Sequence, residues 1–151
     1  MVILLYSISV PLPCFAKIAP ERIALGGIGV GMSMNYVKGV YGEPDRVKTD
    51  YSAYWEEELT THYYGETLEI VYNESDRVQR VCTKGNNGVV TPDGVRVGMS
   101  VGVLKRIYGK SDDIQEYETS RHYKSMTSDN FGIRFDLKEG KITQITVTMF
   151  D

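Results

Sequence analysis

A four-residue string, Val30-Gly31-Met32-Ser33, returns sixty-seven positions later as Val97-Gly98-Met99-Ser100, and each copy is followed at the same distance by a Tyr-Gly pair, Tyr41-Gly42 and Tyr108-Gly109. Such a recurrence constrains the fold more than any composition does, because two copies of one supersecondary unit share a structure and bury their apolar faces by stacking. Holding the offset aligns Ile28 with Val95, Val37 with Leu104, Val40 with Ile107, Asp45 with Asp112 and Val47 with Ile114. The register then shifts: His62-Tyr63 aligns with His122-Tyr123, Leu68-x-Ile70-x-Tyr72 with Phe131-x-Ile133-x-Phe135, and Val78-x-x-Val81 with Ile142-x-x-Ile145. The length differences fall in loops, where insertions cost least.

Within each copy the signals come in one order. Ser33 and Ser100 precede short apolar patterns (Val37, Val40, Tyr41; Leu104, Ile107, Tyr108), the arrangement of an N-cap and one buried helical stripe. Gly42 and Gly109 supply the left-handed stop, and Pro44 prevents the first helix from resuming. Strand-like segments rich in β-branched and aromatic residues follow: 47–55, 60–64, 68–72 and 78–83, then 114–119, 121–124, 131–137 and 141–149. Asn73-Glu-Ser-Asp76 and Lys138-Glu-Gly140 have tight-turn chemistry. No long crossover helices separate the strands, so a doubly wound parallel sheet is excluded. The expected fold is α+β, a tandem repeat of a short helix followed by an antiparallel β-meander with the helices on one face. Residues 17–86 form the first unit and 87–151 the second.

The first sixteen residues carry no charge and end in Cys14-Phe15-Ala16, which reads as a secretory signal peptide without a basic start. Export to the periplasm, cell envelope or medium is the expectation, with no integral membrane segment in the mature chain. Cleavage after Ala16 leaves Cys82 with no partner for an intramolecular bridge, so it reads as a packed small side chain or a free thiol. The formal net charge of −3 and the absence of a Lys/Arg cluster argue against nucleic acid. One cysteine and two histidines sixty positions apart suggest no metal site, and no cofactor motif is present.

Three local patterns invite chemistry. Gly98-Met-Ser100-Val-Gly102 matches the G-x-S-x-G nucleophile elbow, and His122 with Asp112 or Asp113 would complete a triad. The paralogous string reads Gly31-Met-Ser33-Met-Asn35, however, and a helix cap gives the serine a sufficient structural task. The glycine run 26–31 lacks the Gly-Lys-Ser/Thr ending of a phosphate loop and reads as a turn, and Glu56-Glu57-Glu58 reads as a solvated loop.

The series Val-Gly-Met-Ser, short helix, Tyr-Gly-x-Pro-Asp, aromatic strand, Leu-Glu-Ile-Val-Tyr and Val-x-x-Val resembles the SmpA/OmlA-type domains of bacterial envelope proteins, and two such units are similar to the β-lactamase-inhibitor-protein architecture. The resemblance spans about residues 22–149 and implies a non-catalytic protein-binding or inhibitor-like module that uses the open face of its sheet. A structural accessory of envelope assembly is the alternative, and a serine hydrolase acting through Ser100 the third reading. Taking Tyr63 and Tyr123 as core places His62, Tyr64, His122 and Lys124 outward, and Arg134 faces away from the helices by strand alternation. Tyr54 and Trp55 join them as candidate contact residues for another protein. Trp55 reads equally as a binding anchor and as a side chain packed beneath the Glu56–Glu58 loop.

Overall fold

The computed structural model describes residues 17–111, 119–128 and 130–150. A 3-10 turn at Pro20–Arg22 precedes α1 (Met34–Tyr41), which is followed by β1 (Arg46–Ser52), β2 (Glu57–Tyr64), β3 (Leu68–Tyr72) and β4 (Val78–Thr83). The second half contributes α2 (Gly102–Tyr108), β5 (Ser120–Lys124), β6 (Phe131–Lys138) and β7 (Lys141–Met149). All seven strands form one antiparallel sheet in the order β1-β2-β3-β4-β7-β6-β5. The two meanders therefore join through their last strands, with Val81 opposite Val147 and Cys82 opposite Thr146. The strand expected at 114–119 lies, apart from Thr119, outside the described residues, as do residues 1–16, Asp112 and Asp113.

Turn chemistry sets the registers. Between β6 and β7 the connection is Glu139-Gly140, both with positive φ (51° and 72°), the two-residue turn whose twist matches that of the flanking strands. Between β3 and β4 the Asn73 side-chain oxygen accepts from the backbone N–H groups of Ser75 (3.1 Å) and Arg77 (3.0 Å), a side chain standing in for a backbone turn. The glycine run forms a similar reversal: Gly26 and Gly27 have φ of 60° and 79° between Leu25 and Ile28, which exchange backbone hydrogen bonds.

The helices start differently. In α1 the Ser33 hydroxyl accepts from the Tyr36 N–H at 3.2 Å, as an N-cap should. Ser100 does not repeat this, which corrects the expectation of a side-chain cap. Val101 is already in the right-handed helical region, and the N–H groups of Val103 and Leu104 bond to the carbonyls of Ser100 and Val101 at 3.1 Å each. That tight i→i+3 start satisfies backbone donors that a cap would otherwise serve.

The buried cluster draws Val37 from α1 and Leu104 and Tyr108 from α2 onto Ile70 and Tyr72 of β3, Val81 of β4, Ile133 and Phe135 of β6 and Val147 of β7. Val40, expected in the core, is 53% exposed, and Ile107 is only partly buried. The inward stripe runs instead through Val37 and Tyr41, four residues apart, which leaves Val40 at its margin. Several contacts occur in both halves. Gly31 N–H donates to the Val78 carbonyl (2.7 Å) and Gly98 N–H to that of Ile142 (2.8 Å). Tyr64 OH donates to the Gly42 carbonyl (3.0 Å) and Tyr123 OH to that of Gly109 (3.3 Å), while the rings of Tyr41 and Tyr64, and of Tyr108 and Tyr123, lie 5.4 and 5.1 Å apart. By these contacts Tyr64, not Tyr63, corresponds to Tyr123, so the alignment of His62-Tyr63 with His122-Tyr123 is off by one residue.

Candidate functional site

Directly opposed residues of antiparallel neighbours point to the same side of a sheet, so the registers define what its two faces carry. On the side of the buried cluster, His62 stands opposite Ile70 and Tyr123 opposite Ile133. The other side can be read as rows across all seven strands. One row runs Arg46, Tyr63, Glu69, Cys82, Thr146, Arg134, His122, and its neighbour runs Lys48, Thr61, Val71, Arg80, Thr148, Gly132, Lys124. Where β4 meets β7, Glu69, Arg80, Cys82, Lys84, Arg134, Gln144, Thr146 and Thr148 line a concavity of about 250 Å³.

Its floor is polar but not reactive. Cys82 is 4% exposed and receives a hydrogen bond from the Thr146 hydroxyl at 3.6 Å. Burial pushes its thiol pKa up, with the Thr146 contact acting the other way, so the thiolate that reacts with electrophiles or metals is disfavoured. Gln144 Nε2 donates to Thr146 Oγ1 at 3.2 Å. On the walls Lys84 pairs with Glu69 at 3.0 Å, and Arg134 Nε lies 3.2 Å from an Asp136 oxygen, close but poorly aligned for a hydrogen bond. Among the described residues no group of His, Cys, Asp and Glu is placed to hold a metal ion, and no helix is long and apolar enough to cross a membrane.

The candidate contact residues fall into three places. His122, Lys124 and Arg134 are on the open side, His122 directly opposite Arg134 and its ring stacked on Phe150 at 5.7 Å. Tyr54 and Trp55 stand in the turn beyond the Ser52–Glu57 pair, at the tip of the edge hairpin, 62% and 38% exposed and in edge-to-face contact at 4.9 Å. His62 and Tyr64 lie on the opposite side from the one assigned to them. His62 is 3% exposed with its ring 4.7 Å from that of Tyr72, and Tyr63 takes the open side, with the Arg46 guanidinium 3.7 Å from its ring centre. The error arose from treating the two His-Tyr pairs as equivalent, since an odd slip in strand register exchanges the faces of every residue.

Arg80, Lys84, Gln144, Thr146 and Thr148 escaped the sequence reading. The alternation Ile145-Thr146-Val147-Thr148 does place the two threonines opposite the core. Nothing in the sequence pairs β4 with β7, and the bulge at Val71/Tyr72 breaks the alternation that would orient Arg80.

The fold is shared with solved extracellular proteins. A cysteine-rich secretory protein from Staphylococcus aureus superposes with a TM-score of 0.62 at 11% identity, covering 89% of this chain and 47% of that one. An extracellular protein containing an SCP domain from Bacillus anthracis gives 0.56, also at 11% identity, covering 97% of this chain and 50% of that one. The chain thus spans about half the length of either. No family model and no curated protein sequence matches it. These likenesses overturn the resemblance to SmpA/OmlA-type domains and to the β-lactamase-inhibitor architecture. The motif that carried that resemblance is structural: Gly31 and Gly98 tie the chain to the last strand of their own meander, and the Tyr-Gly pair closes a helix. Residues with such local duties do not identify a family.

Proposed function

We propose that this chain is an exported, non-catalytic protein-interaction module that meets its partner with the open side of the sheet. The observation that carries the reading is the polar concavity at the β4–β7 seam, in the middle of that side. An inert buried thiol, hydroxyls and paired charges make a surface suited to recognition rather than bond-making. His122, Lys124 and Arg134 belong to the proposed surface, Tyr54 and Trp55 offer an aromatic contact at its hairpin edge, and His62 and Tyr64 leave it. Export is supported by the secretory and extracellular proteins that share the fold.

The chain is further proposed to be two copies of one unit, 17–86 and 87–151, with both helices on one side of the sheet. The duplicated glycine and tyrosine contacts support this. Ser100 is proposed to be structural. It forms a bridge with Lys141, and the preference for a backbone role rests on the hydrogen bond its carbonyl accepts from Val103. Covalent labelling by a fluorophosphonate probe that disappears in Ser100→Ala would defeat it. The interaction reading is tested by capturing proteins from the extracellular and envelope fractions with the chain and with Thr148→Trp, which fills the concavity. The captured protein is expected to be lost with Thr148→Trp while the variant melts cooperatively. Equal capture by both would place the contact elsewhere.

A further inference from the structure

The open side is electrically unlike the rest of the molecule. The chain has a net charge of −3, yet five cations, Arg46, Lys48, Arg80, Lys124 and Arg134, stand at strand positions on this one side, and a sixth, Lys84, just past the end of β4, lines the concavity. Three of them have carboxylate partners there: Lys48 with Asp50 at 2.7 Å, Lys84 with Glu69 and Arg134 with Asp136. Arg80, exposed and at the wall of the concavity, makes no ion pair among the described residues. A guanidinium presents a planar fork of donors that matches a carboxylate.

The size of the concavity decides between classes of ligand. At about 250 Å³ it falls below the range of roughly 300–1,000 Å³ in which small molecules are enclosed, but it admits a side chain carried on a larger body. Its lining sets the hydroxyls of Thr146 and Thr148 and the Gln144 amide beside the charged ends of Arg80, Lys84, Arg134 and Glu69, and an apolar anchor would strip water from those charges without replacing it. Nucleic acid is the less favoured polyanion, because Glu69 and Asp136 stand beside the cations and would face successive phosphates.

We infer that the β4–β7 concavity receives an extended acidic segment of a partner protein, one carboxylate of which is held between Arg80 and Arg134. This rests on the open-side reading of the previous subsection and narrows it to a chemistry. The test uses fluorescence polarisation with a short labelled peptide of alternating Thr and Glu, against a Thr/Lys peptide and an oligothymidylate. The acidic peptide is expected to bind and the basic one not. Arg80→Ala and Arg134→Ala should each weaken binding by about tenfold or more, the loss typical of a charge-assisted contact. Lys105→Ala, on the exposed side of α2, should leave it unchanged. Arg80 is exposed, so its variant is expected to keep the wild-type melting temperature, and Arg80→Lys should restore part of the binding.

Three results would overturn the inference: binding insensitive to both arginine variants, equal loss in Lys105→Ala, or tighter binding of the oligothymidylate. If Thr148→Trp loses the captured protein but the arginine variants retain it, the acidic-segment inference fails and the interaction surface stands. If neither change alters capture, both fail.

Discussion

His62 is buried against Tyr72, and among the described residues neither its Nδ1 nor the Tyr72 hydroxyl has a hydrogen-bond partner. Burial, reinforced by Lys38, lowers its pKa below the ordinary value, against smaller opposing effects of Glu43 and Asp76. The sign for stability follows. As pH falls below about 6.5 the unfolded chain takes up a proton that the folded one resists. The neutral imidazole's contribution is complete above that pH and is lost on the way down to the lower folded pKa. We expect the melting temperature to drop between about pH 7.5 and 5.5, and the drop to be smaller in His62→Phe, which keeps a ring but cannot titrate. Thermal melts at several pH values check this, and parallel slopes for the two proteins would refute it.

At the level of elements, the two helix starts give a controlled comparison. Ser33→Ala removes a hydrogen bond to the Tyr36 N–H and is expected to cost about 1 kcal/mol, the usual value of a lost N-cap. The hydroxyl of Ser100 has no capping hydrogen bond, so Ser100→Ala should stay within about 0.5 kcal/mol of the parent. Denaturant unfolding of both variants decides, and equal losses would restore the symmetrical cap. The same pair shows how far local signals reach. Both serines end the same Val-Gly-Met-Ser string, and what separates them is the chain after it, Met34-Asn35 in one copy and Val101-Gly102 in the other, where Val101 already has helical backbone angles.

For the whole molecule, the seam between β4 and β7 makes the halves one sheet over one buried cluster. Arg22 adds a second tie, reaching from before α1 to Asp93 at 3.0 Å and lying 5.2 Å from the Tyr108 ring centre. Unfolding is therefore expected to be a single cooperative transition seen alike by near-ultraviolet and far-ultraviolet circular dichroism. Leu104→Ala, at a position 1% exposed, should shift that transition by about 2–5 kcal/mol. A variant that melts only the second half while the first persists would show two independent domains.

Element order, turn positions and the α+β class were legible in the chain because each is written locally. Leu68–Tyr72, Val78–Thr83 and Lys141–Met149 were read at their true limits from alternation and flanking turn residues. The side of the sheet on which a residue stands was legible only where its strand alternates cleanly, as at Arg134. It failed at His62, because parity inherits any error in register. The β4–β7 join and the basic concavity built on it were decided by tertiary structure alone. Pairing strands from the two halves of a chain depends on which apolar faces fit together, and neither strand carries a mark of the other.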